Sequence, residues 1–423
     1  MPVTQPPSTA PPPGTAGLPD PAPPASHLVR WVASYAAYGV PQAAAPIAFS
    51  LVALPLTGSS SSGAAMILAM TLAQVVGAVP VSRLGARWNP STYLRVLVAF
   101  RTLAFVGVAV LAGTGAGFPL LVAGAALAGL VAGSAYGYQR SLLNHLVVPR
   151  GLPRALGIAA TLNEVNFVVS PVVAALLGAV FPVAAIVFFA TLGAAPLVLI
   201  PRVPHLAAPT TAGRRPGPLV SRAVAVWLCC AAASGAAVAA VEIGAVPFAV
   251  HFGLGASLAF VFTVALCLAS VAGGLWVSIR NRPFGERTVL VFLGATVVGS
   301  GLVAAQVTVA VTVAGALVVG AFLAPLGTHY SLVLDRLAPP ARRAEVFSLL
   351  RTSTAVGLIL ASGLIAAVPL RTALASCTAL ALVAAVAVAW AGRSGASTGP
   401  SQGAEPTGLI EESEPRTPGP SAG

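Results

Sequence analysis

Two glutamates sit where water should be scarce. Glu164 falls about halfway along an apolar run at 153–178, and Glu242 in the latter part of another at 222–249. A carboxyl group enclosed by hydrocarbon is placed to trade protons, and an ionisable residue inside a membrane is a functional candidate by default. The chemistry these two suggest is proton exchange. A hydrogen-bonded acid that only ties helices together is the alternative, and it stays open for both.

Two arginines also fall inside apolar runs. Arg101 lies six residues past Arg95, about 9 Å along a helix, which suits a side chain that snorkels to the interface. Arg351 lies eight residues past Arg343, about 12 Å into its run, within Arg351-Thr-Ser-Thr354. Both are candidates for ion pairs with a carboxylate, Arg351 first; a run that begins later is the other reading of Arg351. Tyr35, Tyr38 and Gln42 recur at i, i+3 and i+7, one helix face. Facing a cavity, they offer rings and hydroxyls to a partly apolar ligand. Gln74, Asn163, Asn166 and Gln306 read as amides that join helices, and Gly129, Gly133 and Gly137 as a ridge for close packing.

Other chemistry is not supported. There is no P-loop, no GxGxxG after a strand, no HExxH and no Ser/His/Asp set with plausible placement. His145, His205, His251 and His329 sit at run ends or in loops, and His27 near the N-terminus. Cys229, Cys230, Cys267 and Cys377 lie inside apolar runs without metal-ligand spacing. The expectation is no enzyme activity, no catalytic residue, no metal and no cofactor.

The elements that must hold these residues follow from composition. The chain is 57% hydrophobic and 8% charged, with a mean hydropathy of +0.91. Soluble proteins carry about 25% charged residues, so this one cannot cover a water-facing surface. Twelve apolar runs are long enough to cross a bilayer as helices: 30–56, 63–82, 92–113, 117–139, 153–178, 182–201, 222–249, 255–279, 288–308, 310–331, 343–367 and 370–392. All 22 cationic residues are arginine, and sixteen fall in or beside every second loop, whereas the loops between carry none. That alternation is the positive-inside signature. It assigns the net charge of +12 to one membrane face and not to nucleic acid. Both ends then lie on the cytoplasmic side.

The expected fold is an all-α membrane protein: twelve transmembrane helices in two six-helix, pseudo-symmetric halves. The first half is 28–201 and the second 222–392, joined by a cytoplasmic linker at 202–221. Tails at 1–27, rich in Pro and Ala, and at 393–423, rich in Gly, Ser, Pro and Glu, are expected to be disordered. The N-terminus has no basic region leading into a short apolar core, so no cleaved signal peptide is expected. A weak internal repeat supports the division. Ser141-Leu-Leu-Asn-His-Leu-Val-Val-Pro149 follows the fourth span and Ser331-Leu-Val-Leu-Asp-Arg-Leu-Ala-Pro339 the tenth.

Over roughly residues 28–392 this organisation resembles the major facilitator superfamily. After its second span that family carries Gly, four residues, then Asp-Arg-x-Gly-Arg. Here stand Gly77-Ala-Val-Pro-Val-Ser82-Arg83-Leu-Gly85-Ala-Arg87, with serine at the acid's position and the last arginine one residue late. The resemblance implies a cytoplasmic gating loop of Gly77, Arg83, Gly85 and Arg87 that lacks its own acid. The second-half counterpart, Gly274-Leu-Trp-Val-Ser-Ile-Arg280, is more eroded. In the fifth span, Gly157, Asn166, Ser170-Pro171 and Ala174-Ala175 fall at the spacing of the Gly- and Pro-rich motif of the drug antiporter branch, which they resemble with only Gly157 and Pro171 identical. The resemblance also sets the seventh span beside a central cavity, with the first, fourth and tenth.

The sequence thus points to a monomeric carrier in a bacterial inner membrane. It would export a small, partly apolar compound in exchange for protons by alternating access, with Glu242 or Glu164 as the proton site. An importer or facilitator is the nearest rival. A transporter-like membrane partner or sensor without transport is the rival of another class.

Overall fold

The computed structural model describes residues 25–58, 61–203 and 219–396, in which every regular element is helical. In chain order these are α1 (Ala25–Thr57), α2 (Ser61–Leu84), α3 (Pro90–Gly113), α4 (Phe118–Leu130), α5 (Ala132–Leu146), α6 (Leu152–Val180), α7 (Pro182–Ala194), α8 (Pro196–Leu199), α9 (Arg222–His251), α10 (Phe260–Arg280), α11 (Glu286–Ala305), α12 (Val309–Leu337), α13 (Arg343–Ala367) and α14 (Leu370–Ala396). Helices are what hydrocarbon demands, because each backbone polar group finds its partner within its own segment.

Eleven helical stretches among the described residues are long and apolar enough to cross a membrane, against twelve expected. The exception is the sixth expected span. There the chain forms α7 and the four-residue α8, broken just before Pro196, within a shorter apolar stretch at Val183–Leu199. Proline has no N–H to give to the preceding turn, so the helix interrupts where Pro196 falls. The fourth expected span stops too early at 139. α4 and α5 together carry the helix to Leu146, past Arg140 and Asn144, with a one-residue break at Val131. The boundaries of both expected tails are helical too, at Ala25 and Ala396, while residues 1–24, 204–218 and 397–423 of the expected tails and linker lie outside the described residues.

Within the helices before residue 204, α1 packs on α6 and α7, α2 on α4, and α3 on α4 and α7. After residue 218, α9 packs on α13 and α14, α10 on α12, and α11 on α12 and α14. Helix for helix, the second set of contacts repeats the first. The two sets meet where α6 lies on α10 and where α13 lies on α5 and α2.

Glycine makes several of these approaches possible. A Cβ on Gly129 of α4 would strike the backbone of Met70 on α2, and one on Gly77 would strike that of Leu130. Apolar clusters fill each set; the one around Trp31, Tyr93, Tyr138 and Leu142 also takes in Leu332 of α12. Large apolar side chains such as Leu103, Val110, Leu268, Val291 and Val298 point outward, as a lipid-facing surface requires.

Candidate functional site

Tyr35, Tyr38 and Gln42 share one face of α1, and all three line one small cavity of about 30 Å³. Around them stand Gln74 of α2, Arg101 of α3, Tyr136 of α5, Asn163 and Asn166 of α6, and Arg351 of α13. Arg351 alone among these belongs to the helices after residue 218. The rings are close: Tyr35 stacks on Trp31 at 5.3 Å between centroids and tilts toward Tyr136 at 6.2 Å. Asn166 donates to the carbonyl of Ala36 at 2.8 Å, the amide role expected of it, in space left by Gly39.

Arg101 does not snorkel. It is 3% exposed, and donates to the Tyr38 carbonyl at 2.9 Å and the Gln42 side-chain oxygen at 3.3 Å. Its guanidinium carbon lies 4.4 Å from the Tyr38 ring centroid and 5.4 Å from that of Phe105. The buried Nε has no hydrogen-bond partner. Spacing from Arg95 gave depth along α3 but not the direction around it, which turns this side chain inward onto α1.

The expected ion pairs of Arg101 and Arg351 do not form: neither meets a carboxylate among the described residues. For Arg101, ring faces and carbonyl oxygens supply the negative potential an acid would have supplied. Arg351 is half-buried, with its guanidinium carbon 5.7 Å from the Tyr136 ring centroid, two turns into a helix that does begin at Arg343.

The two membrane-embedded acids come from different sets of helices, yet they lie within electrostatic reach of each other. Glu164 of α6 and Glu242 of α9 are both half-buried. Beside Glu164 lies Ser270 of α10, a fully buried hydroxyl with no other hydrogen-bond partner. Neither acid is among the residues lining the cavity.

At the arginine-bearing end the two sets are joined by polar contacts. Arg83 Nε meets Glu345 of α13 at 3.2 Å, and Arg342 approaches the same carboxylate at 3.2 Å. Ser82, at the position of the family's acid, shares a 2.7 Å hydrogen bond with Ser348 and donates to Ser134 at 3.0 Å. Arg83 thus finds its carboxylate on the other side of the seam. Arg140 donates to Ser331 at 2.6 Å and to Asn144 at 2.9 Å. Asn144 in turn donates to Asp335, which pairs with Arg343 at 3.4 Å.

Backbones also close in here. A Cβ on Gly137 would collide with Ala344 and Ser348, and one on Gly157 would lie 2.7 Å from the Gly274 carbonyl oxygen and the Ser278 nitrogen. Gly137 thus packs between sets, and Gly129 within one. Gly85 faces the rings of Tyr93 and Tyr138, whereas Arg87 is exposed. Ser170 is buried, next to Pro171 inside α6.

Glu345, Asp335, Arg140, Asn144, Ser348 and Tyr136 were not singled out by sequence reasoning. A signal for the first two existed. Only five acids fall in the described residues, so an acid beside an arginine-rich loop has its pick of partners.

The family model for the Major Facilitator Superfamily matches residues 31–362. Among solved structures, the chain is similar to a bacterial homologue of the iron transporter ferroportin in an outward-facing state, with a TM-score of 0.71 at 16% identity over 86% of this chain and 99% of that one. It is also similar to the proton:xylose symporter XylE, with a TM-score of 0.69 at 13% identity over 85% and 94% of the two chains. The E. coli fucose:proton symporter FucP gives 0.66 at 12% identity over 86% and 98%. At these identities the likeness is one of fold. A search of curated protein sequences found no match.

Proposed function

The chain belongs to the major facilitator superfamily, and from that premise we propose that it is a secondary active transporter that exports a small, partly apolar compound in exchange for protons. The two sets of helices act as six-helix halves that rock about the cavity, as in alternating access. The alternating arginines orient the protein with both termini in the cytoplasm of a bacterial cell. In that orientation the contacts at the arginine-bearing end close the cytoplasmic side, and Arg83 with Glu345 takes the part of the gating pair. A monomer holds all of these parts.

One observation supports the proton assignment: Glu164 and Glu242 come from different sets of helices and lie within electrostatic reach of each other. A proton held by the pair relieves the repulsion of two like charges, and a motion that parts the halves removes that relief. Proton binding and the movement of the halves are thereby the same event seen from two sides.

The test is Glu164→Gln and Glu242→Gln in vesicles with an imposed pH gradient, following a partly apolar fluorescent dye. At least one variant should lose its response to the gradient. Normal, gradient-responsive dye movement in both would overturn the proton assignment.

A further inference from the structure

We propose that the cavity takes an organic anion: a planar, largely apolar body bearing one carboxylate or comparable acidic group, held between Arg351 and Arg101. The inference rests on the transporter reading and names its substrate class.

The cavity is lined by two guanidinium groups and no carboxylate. Arg101 is 97% buried, and its Nε has no partner. Arg351 shows no hydrogen bond and no ion pair among the described residues, and its guanidinium lies over the face of Tyr136. At the arginine-bearing end, by contrast, an acid lies close to the arginines. Arg140 donates to Ser331 and Asn144, and Arg343 pairs with Asp335. The cavity therefore holds two guanidinium groups with no carboxylate beside them, in a membrane-embedded site.

Ligand charge decides what such a site accepts. A cation would be repelled by both arginines, and a neutral ligand would leave both uncompensated in a low-dielectric environment. A carboxylate offers two oxygens that match the planar fork of a guanidinium. The rings of Tyr35, Tyr38 and Tyr136 provide faces for the apolar body. Arg101 and Arg351 come from opposite halves, so the anion would contact both at once. Glu164 and Glu242 leave the preference intact because neither lines the cavity.

The test uses three probes of one shape: 1-naphthoate, 1-naphthamide and 1-naphthylmethylammonium. Their binding to the purified full-length protein is measured by calorimetry, and their movement in proteoliposomes under a pH gradient. 1-Naphthoate should bind about ten- to a hundred-fold more tightly than the amide, the range for a charged hydrogen bond, and the cation least. Arg351→Gln should abolish that order, while Arg351→Lys, which keeps the charge, should retain part of it.

Equal or better binding of the amide or the cation overturns the anion assignment, as does failure of all three to bind. So does an Arg351→Gln protein that is folded by its melting curve and keeps the full preference. Gradient-driven movement of the cation would refute the anion while upholding the carrier. Selective binding of 1-naphthoate with no movement would do the reverse.

Discussion

Glu345 of α13 holds Arg83 of α2 at 3.2 Å across the seam between the two halves, and Arg342, in the turn before its own helix, at the same distance. One buried carboxylate thus serves two guanidiniums, one from each half. Arg83 is largely exposed, so its contact alone contributes about 0–1 kcal/mol. Glu345 is the less replaceable partner.

Glu345→Gln should shift the balance toward an open arginine-bearing end by up to about 1 kcal/mol, the range for an exposed ion pair. Leu84 and Leu337 are exposed beside the contact. Spin labels at these two positions, in a background without the native cysteines, should report longer distances in the variant. An unchanged distance distribution would exclude Glu345 as a latch.

Asp335→Asn removes the partner of Arg343 but keeps an acceptor for Asn144, so it should act in the same direction with a smaller shift. Combined with Glu345→Gln, the two shifts should add, as separate contacts on one equilibrium do. A double variant no more open than Glu345→Gln alone would show that Asp335 plays no part in closure.

The direction of transport has a sign that can be worked out. In the cell, protons entering would drive the compound out. In inside-out vesicles the lumen stands for the outside, so an acidic lumen should drive uptake. For one-for-one exchange with a proton, and with no membrane potential across the vesicle, accumulation rises about ten-fold per pH unit. Uptake that increases when the lumen is made alkaline would assign the opposite direction.

Gly129 and Gly137 sit on the same helical ridge but should fail differently. Gly129→Ala presses on Met70 within one half and should lower the melting temperature, with a cost of about 1–3 kcal/mol for overpacking. Gly137→Ala presses on Ala344 and Ser348 in the other half. It should open the arginine-bearing end, read by the same spin labels, with little change in melting. Matching melting losses in the two variants would contradict this division.

The sequence showed some of this plainly and hid the rest. Period and hydropathy give membrane helices, because lipid enforces a local rule on each segment. The face shared by Tyr35, Tyr38 and Gln42 is local too, and it does line a cavity. Arg101 was misread because spacing along α3 says nothing about azimuth. Glu345 and Asp335 have arginines close by in sequence, which hides their more distant partners. Yet Glu345 also meets Arg83, 262 residues away, and Asp335 meets Asn144 at 191. Only the packing of α13 and α12 on the first half brings such partners together. The break before Pro196 was legible as a proline, but its cost in span length was not.

The seam at the arginine-bearing end is built of hydroxyls, amides, guanidiniums and carboxylates, lined up on glycine-flattened backbone. Each of these contacts has a ready substitute in water, so the seam can be wetted apart, one hydrogen bond replaced for another. The seams inside each half are mainly apolar, with a few buried polar contacts such as Arg101 to Tyr38 and Asn166 to Ala36. The molecule therefore carries a built-in line of cleavage, soft to solvent along one plane and resistant everywhere else.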